Sequence, residues 1–276
     1  MKSLKDPLFP LFQVNAFAKK PFTGNPAGVV FLMGKQTDAW MQAFAKEMNL
    51  SETAFFMRKG ERFTLRWFTP TTEVDLCGHA TLAAAHVIWE TNLLMPEEEI
   101  RFETKSGILR AQKRRNWIKL DFPAEPVEAI TQTPEMEEGI GAKIIWAGAN
   151  RMDYLLEVDS EKALRELKPN MQVLKKLEKR GIIVTAKASP SKSYDFVSRF
   201  FGPAVGVDED PVTGSAHCAL APYWSEKLDM TNLTGFQASD RGGIVKVRNK
   251  GERVELSGQA ITIFQGVIAG AAINAK

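Results

Sequence analysis

Apolar and polar positions alternate in the same way along two separate stretches of the chain. Residues 106–122 read SGILRAQKRRNWIKLDF, residues 242–258 read GGIVKVRNKGERVELSG, and the two align without gaps at an offset of 136. Each has an alternating segment, a charged turn and a second alternating segment, a pattern typical of a β-hairpin. The pattern therefore predicts two similar hairpins.

The same offset relates two apolar segments that precede the hairpins. Residues 77–89 read CGHATLAAAHVIW, and residues 213–224 read TGSAHCALAPYW. Further upstream, LRWFTP at 65–70 resembles SRFFGP at 198–203, at an offset of 133. Because all three blocks keep their order, the chain is interpreted as two copies of one module, with a short insertion in the second.

The fold class follows from the composition of these modules. Residues 77–89 and 213–224 are apolar on nearly every side, so they predict helices that are buried all round. Strand patterns on both sides of each helix predict a sheet curled about it. We therefore expect an α+β protein with two pseudo-symmetric domains, each a β-barrel-like sheet wrapped around a central apolar helix.

The domain boundary is predicted from a change in composition. Residues 122–139 are rich in Pro and Glu and are interpreted as a linker. The first domain would span residues 1–123 and the second residues 124–276. The final apolar stretch, ITIFQGVIAGAAI, is compatible with packing on either module.

Composition narrows the class of protein. Apolar residues make up 44% of the 276 residues, and the formal net charge is +3, which gives no reason to expect a nucleic-acid partner. The two cysteines do not suggest a disulfide framework and fit a reducing compartment. No signal peptide and no long apolar run is found. We expect a cytoplasmic protein without membrane partners.

Candidate chemistry lies at the N-terminal ends of the two predicted helices. These ends carry Cys77, Gly78 and His79 in the first module and Thr213, Gly214 and Ser215 in the second. Helix N-termini present unpaired N–H groups and a partial positive charge, which suits a carboxylate. Equivalent features of twin modules usually face one cleft, so a shared site is predicted. A capped helix start, with Thr or Ser accepting from backbone N–H groups, remains the alternative for the second end.

A carboxylate candidate is Glu52, in the segment NLSETAFF. It lies at the edge of a predicted strand beside apolar residues, where burial would raise a carboxyl pKa and suit a general acid/base. An ordinary exposed Glu in a turn is the alternative. The segment FTGNPAGVV, residues 22–30, is interpreted as a structural turn or a lid, followed by a strand.

Metal and nucleotide sites are not predicted. The chain has three histidines and lacks the zinc-binding spacings, the Walker loop and the dinucleotide-binding glycine motif. Proton transfer between Glu, His, Cys and Asp, without a cofactor, is the chemistry that these residues favour.

Four motifs together resemble those of the PhzF-like family, the phenazine biosynthesis-like proteins. They are FTGNPAGVV, MNLSETAFF, RWFTPTTEVDLCGHATLAAA and DEDPVTGSAH, and the resemblance extends from about Phe12 to Gly266. It implies the diaminopimelate epimerase-like fold and a cofactor-independent isomerase that acts on a small carboxylate-bearing metabolite. A homodimer is also implied by the resemblance alone.

The resemblance also implies roles for individual residues. Glu52 would be the catalytic base, supported by His79 and Asp210. The substrate would be bound by Asn25, Cys77, Gly78, Thr213, Gly214 and Ser215. An epimerase or racemase, or a non-catalytic ligand- or partner-binding protein, remain as alternatives. Related racemases use two facing cysteines, and the second position here is Thr213, which disfavours a two-thiol mechanism.

Overall fold

The structure is a computed structural model and describes residues 8–274. The strands of this part of the chain are β1 (Pro10–Ala16), β2 (Asn25–Phe31), β3 (Glu52–Lys59), β4 (Arg62–Phe68), β5 (Glu73–Val74), β6 (Ile100–Thr104), β7 (Gly107–Arg114), β8 (Trp117–Pro123), β9 (Glu128–Ala129), β10 (Ile144–Ala149), β11 (Asp153–Val158), β12 (Gly181–Lys187), β13 (Phe196–Phe201), β14 (Asn232–Gln237), β15 (Gly243–Asn249), β16 (Arg253–Gly258) and β17 (Ala260–Val267).

The helices of the same part are α1 (Asp38–Met48), α2 (Gly78–Glu90), α3 (Pro134–Ile140), α4 (Glu161–Arg165), α5 (Met171–Leu174), α6 (Gly214–Leu228) and α7 (Gly270–Ile273). A 3₁₀ turn covers Pro203–Val205. None of the helices within residues 8–274 has the length and apolar composition needed to span a bilayer.

The chain divides into two compact units. The first contains the residues through Phe22, together with Pro26–Leu120 and the residues from Gly258 onward, and the second contains Thr23–Asn25 and Asp121–Ser257. β17, which holds most of the final apolar stretch, pairs antiparallel with β1 in the first unit. The domain division predicted between residues 123 and 124 stays a prediction.

The strands of the first unit follow one order of pairing. β1 pairs with β17 and with β2. β2 pairs parallel with β3, β3 antiparallel with β4, and β4 parallel with β6. The predicted hairpin follows as β7 and β8, which extend the sheet from β6 in antiparallel pairs. The central helix α2 packs on β1, β3 and β17.

The second unit repeats this order of pairing. β11 pairs parallel with β12, β12 antiparallel with β13, and β13 parallel with β14. The second hairpin, β15 and β16, continues from β14 in antiparallel pairs. In each unit the central helix connects the two strands of a parallel pair, since α2 lies between β4 and β6 in sequence and α6 between β13 and β14. Parallel strands require such a crossover connection. The repeat found in the sequence is therefore visible in the strand pairing.

Both central helices are buried as their composition predicts. From His79 to Trp89 only His86 in α2 keeps partial exposure. In α6 the buried residues include Ala216–Ala221 and Trp224. The first unit has a second core where α1 packs on β3 through Trp40, Phe44 and Phe55. The central helices α2 and α6 are buried because they have no polar side that could face water.

One segment differs in detail from the expectation. The predicted linker, residues 122–139, contains β9 and most of α3, because Pro134 at the first helical position and two acidic residues in the first turn favour a helix start. Further along the second unit, α4 and α5 are separate short helices because Pro169 lies between them and proline interrupts a helix.

Candidate active site

Glu52 lies at the beginning of a central strand of the first unit. Helix α1 ends at Met48, the C-cap residue Asn49 adopts a left-handed conformation (φ 49°), and β3 starts three residues after Asn49. Glu52 pairs with Ala27 of the parallel strand β2. Its side chain is 19% exposed, so the carboxylate is largely shielded but accessible. The alternative of an ordinary exposed glutamate in a turn does not describe this position.

The start of α2 supplies two further groups. Cys77 is the N-cap residue, with extended backbone, and its side chain makes no capping hydrogen bond to the helix. The carbonyl of Cys77 accepts hydrogen bonds from the Thr81 amide at 3.1 Å and from the Thr81 hydroxyl at 2.5 Å. The capping residue is thus held by its backbone, which leaves its thiol for other contacts.

The imidazole of His79 lies between the thiol and the carboxylate. Its Nδ1 is 3.5 Å from Cys77 Sγ, and its Nε2 is 3.2 Å from Glu52 Oε2. The His79 side chain is only 6% exposed. A neutral imidazole donates through one ring nitrogen and accepts through the other. This arrangement can pass a proton between the carboxylate side and the thiol side without any movement of the backbone.

Within residues 8–274, the same three residues also form a cluster that could offer metal ligands. One ligand atom from each of Glu52, Cys77 and His79 can be chosen so that all lie within 4.8 Å of one another. A zinc ion would use one ring nitrogen of the histidine, while the other makes an outer contact. Here the thiol and the carboxylate contact opposite nitrogens of the ring. The donor set therefore fits a proton relay better than a single ion bound by all three.

Asp210 organises the corresponding helix start in the second unit. One carboxylate oxygen accepts from Asn25 Nδ2 at 2.9 Å, and the other accepts from the hydroxyl of Thr213, the N-cap residue of α6. Asn25 Nδ2 also donates to the carbonyl of Val212 at 2.9 Å. Asn25 is fully buried and Asp210 is 9% exposed. The alternative of a helix start capped by Thr213 does not describe this position, because the Thr213 hydroxyl donates to Asp210 and makes no capping hydrogen bond.

Sequence reasoning missed Gln237, which completes this network. Its Oε1 accepts from the Thr213 amide at 2.9 Å, and its Nε2 donates to the Asp210 carbonyl at 2.7 Å and to Thr213 Oγ at 3.2 Å. Gln237 is the last residue of β14 and is fully buried. No local pattern marks it, since a single Gln at a strand end has no distinctive spacing.

His217, a buried residue of α6, also contacts the start of that helix. Its Nδ1 contacts the carbonyl of Thr213 at 2.8 Å, one turn earlier. Burial lowers the pKa of His217 to about 4, although the hydrogen bond to Thr213 acts in the opposite direction. The ring is therefore neutral near pH 7, and Nδ1 carries the proton that it donates to the carbonyl.

Ser215, the second residue of α6, has different neighbours. Its Oγ accepts a hydrogen bond from Arg180 Nη2 at 3.1 Å. Arg180 directly precedes β12 and was not among the predicted site residues.

The structure thus gathers the predicted residues in two sets. Glu52, Cys77, Gly78 and His79 lie together in the first unit. Asn25, Asp210, Thr213 and Gly214 lie together in the second, where Gly214 is the first residue of α6. The roles assigned to these residues, and the shared cleft, stay predictions.

Comparison with known proteins identifies the family. Residues 14–266 match the family model described as phenazine biosynthesis-like protein. The chain belongs to the phenazine biosynthesis-like (PhzF) family. An uncharacterized isomerase of Halalkalibacterium halodurans is 53% identical over 257 residues, which cover 93% of this chain and 97% of that protein.

Solved structures agree with the family and the fold. A PhzF family protein of Enterococcus faecalis, 41% identical, matches with a TM-score of 0.90 over 95% of this chain and 100% of that chain. A predicted epimerase of Pseudomonas aeruginosa, 20% identical, matches with a TM-score of 0.73 over 94% of this chain and 98% of that chain, and shows the fold alone. The predicted fold class, with a diaminopimelate epimerase-like architecture, is confirmed. The prediction that the protein is an enzyme of the isomerase type is confirmed as well.

Proposed function

We propose that this protein is a cofactor-independent isomerase that moves a proton within a small carboxylate-bearing metabolite, with Glu52 as the acid/base. The observation that carries the proposal is the contact of 3.2 Å between Glu52 Oε2 and His79 Nε2 in a largely buried setting. A carboxylate that is mostly buried but still partly accessible, and that contacts an imidazole, is suited to general acid/base catalysis.

The proposed step keeps atoms and charge in balance. The Glu52 carboxylate takes a proton from an activated C–H bond, and the electron pair of that bond moves into the conjugated system of the substrate. The resulting carboxylic acid returns the proton at another carbon, so the product has the composition of the substrate. A positioned acid/base of this kind is typically worth about 10²–10⁴ in rate.

His79 would orient the Glu52 carboxylate during this transfer. Its ring is held on the other side by Cys77 Sγ, at 3.5 Å from Nδ1, so the imidazole has little freedom to rotate away. Cys77 and Gly78 would contribute the binding groups at the start of α2. Asn25, Asp210, Thr213, Gly214 and Ser215 would contribute to substrate binding at the start of α6.

The decisive experiment compares the wild type with Glu52→Gln in a metabolite screen. Thermal shift and mass spectrometry in D₂O would identify compounds that bind both proteins and are converted by one of them. We expect Glu52→Gln to bind the ligand but to lose turnover by about 10²-fold or more, because the amide cannot accept the proton. An active Glu52→Gln enzyme would overturn the assignment of the base.

The control for this experiment is Glu47→Gln. Glu47 is an exposed residue of α1, so the same chemical change there leaves the candidate site untouched. We expect wild-type turnover from Glu47→Gln.

Size-exclusion chromatography with light scattering on the same samples would test the proposed homodimer.

An epimerase is the second candidate, and the contact between Cys77 Sγ and His79 Nδ1 favours it. An imidazole in contact with a thiol can accept its proton, so that the sulfur acts as the base. The epimerase would leave deuterium from the solvent at an unrearranged stereocentre. The isomerase would place the deuterium on a different carbon, with a shifted double bond. The position of the label in the product separates the two.

A further inference from the structure

We propose that Arg180 is a positioning and specificity residue that holds the Ser215 hydroxyl as a hydrogen-bond donor for the carboxylate of the substrate. The inference rests on the proposed carboxylate substrate and on side-chain contacts within the second unit. Its elements are a buried aspartate, a half-exposed arginine and the serine near the start of α6.

Asp153 fixes the guanidinium in one orientation. Arg180 Nε donates to Asp153 Oδ1 at 3.0 Å, and Arg180 Nη2 donates to Oδ2 at 2.7 Å, which is the bidentate geometry that suits arginine and a carboxylate. Asp153 is itself held by Asn150, whose Oδ1 accepts from the Asp153 amide at 2.8 Å. The guanidinium also lies over the ring of Phe200, 5.6 Å from its centroid.

Gly181 makes room for this arrangement. A Cβ atom there would lie 2.3 Å from Phe200 Cζ and 2.9 Å from Asp153 Oδ1, closer than real Cβ contacts allow. The Arg-Gly pair at 180 and 181 is therefore the local sequence feature that permits the stacked, bidentate guanidinium.

The two members of the ion pair between Asp153 and Arg180 differ in exposure. The Asp153 side chain is 1% exposed, whereas that of Arg180 is 37% exposed. The negative charge is buried behind the guanidinium, so the accessible part of the pair is positive. Arg180 Nη1 has no hydrogen-bond partner within residues 8–274. An anion that approached Arg180 would meet this positive surface.

Arg180 also determines the direction of the Ser215 hydroxyl proton. Arginine carries donors and no acceptor, so Ser215 Oγ must accept at the contact of 3.1 Å. The hydroxyl proton then has to point elsewhere, and no acceptor for it is found in the described part of the chain. Ser215 is thereby set as a donor beside a positive charge, which suits a carboxylate better than a neutral amide and disfavours a cation.

The test uses acetate as the carboxylate probe and acetamide as the uncharged probe of the same shape. Backbone amide chemical shifts of Ser215 and Ala216 in the full protein would report binding at this position. We expect acetate to shift these signals in the wild type and acetamide to shift them far less. No acetate-dependent shift in the wild type would overturn the proposal, while the Glu52→Gln test, which needs no acetate, would still stand.

The decisive variants are Arg180→Lys and Ser215→Ala. Lysine keeps the charge but loses the fork that holds Asp153 and Ser215 together. We expect each variant to weaken acetate binding by about tenfold, and the double variant to lose little more, because both residues act through one hydroxyl. Unchanged affinity in Arg180→Lys, or fully additive losses, would contradict the proposal.

The matched control is Arg199→Lys. Arg199 forms the same bidentate pair, with Glu209 at 2.7 and 2.8 Å, and also stacks on a phenylalanine, Phe201, but within residues 8–274 its guanidinium donates to no serine side chain. We expect Arg199→Lys to bind acetate like the wild type. An equal loss in both variants would show that Arg180 acts through general stability alone.

A last variant separates positioning from charge neutralisation. Asp153→Asn combined with Arg180→Gln removes both charges. Because no buried charge is left unpaired, we expect the double variant to fold. We expect this double variant to bind acetate weakly. Wild-type acetate affinity would show that Arg180 merely neutralises Asp153 and would overturn the proposal.

Discussion

At the start of α2 the N-cap residue is Cys77, and at the start of α6 the residue at the equivalent repeat position is Thr213. The two side chains behave differently. The Cys77 thiol contacts the ring of His79, which in turn contacts Glu52. The Thr213 hydroxyl donates to Asp210, while the Thr213 amide donates to Gln237. One helix start presents a chain of titratable groups, and the other presents a closed hydrogen-bond network.

This difference suggests that the starts of α2 and α6, which are equivalent in the repeat, have different roles. A closed network of buried hydrogen bonds fixes its members in one geometry. A chain of thiol, imidazole and carboxylate has protons that can change position. We infer that the start of α6 is built for rigidity and binding, and the start of α2 for proton transfer.

One feature is common to both helix starts. Thr81 in α2 and His217 in α6 occupy equivalent positions at the offset of 136, and each contacts the carbonyl of the N-cap residue four residues earlier. The backbone of the capping residue is thus held in the same way in both units. The side chains of the capping residues are the part that has diverged.

The largest expected effect comes from opening the closed network. Asp210→Ala removes one of the two acceptors of Asn25 Nδ2 and the acceptor of the Thr213 hydroxyl, and both donors are buried. Leaving buried polar groups unsatisfied should lower the free energy of unfolding by about 3 kcal/mol. Urea unfolding would measure this loss.

The control for that measurement is Asp208→Ala, an exposed aspartate two residues earlier. We expect its unfolding midpoint to stay close to that of the wild type, since most exposed substitutions have small effects. If Asp210→Ala also unfolded at the wild-type midpoint, the network would not be the rigid element that the comparison requires.

The repeat, the two buried helices and the two hairpins could be predicted from sequence. Each depends on local periodicity, which sequence carries directly. The position of Glu52 at a strand edge was also predictable, because the apolar strand pattern begins immediately after it. The cluster of Cys77 and His79 followed from their separation by one residue at a helix start.

The partners of Asp210 could not be predicted in the same way. Gln237 is 27 residues away and Asn25 is 185 residues away, so their contacts depend on strand pairing rather than spacing. The same holds for Arg180, which lies 35 residues from Ser215. Local rules could not decide the alternative of capping by Thr213, because they consider only the helix itself and Asp210 competes for the hydroxyl.

The next effect tests the buried histidine that has no titratable equivalent in α2. Burial lowers the pKa of His217 to about 4, below the value near 6.5 expected in the unfolded chain. The unfolded state therefore binds more protons between these values, so the stability contributed by neutral His217 is present above pH 6.5 and is lost as pH falls towards 4. Between about pH 7 and about pH 5 this loss should be about 2 kcal/mol.

Urea unfolding of the wild type and His217→Asn across this range would isolate the effect. Asparagine retains a donor near the position of Nδ1 but does not titrate. The variant should lose less stability on acidification than the wild type, whatever its stability at pH 7. Parallel pH curves for the two proteins would contradict the role assigned to His217.

The smallest expected effect is at the equivalent position in α2. Thr81→Val keeps the shape of the side chain and removes the hydroxyl that donates to the Cys77 carbonyl at 2.5 Å. The Thr81 amide still donates to this carbonyl at 3.1 Å, so no buried acceptor is left without a partner and the loss should be about 1 kcal/mol. This loss should be the same at pH 7 and pH 5, because no titratable group is changed. A pH-dependent loss in Thr81→Val would mean that the hydroxyl acts on the chain of Cys77, His79 and Glu52, and the two helix starts would then share less than their common backbone contact implies.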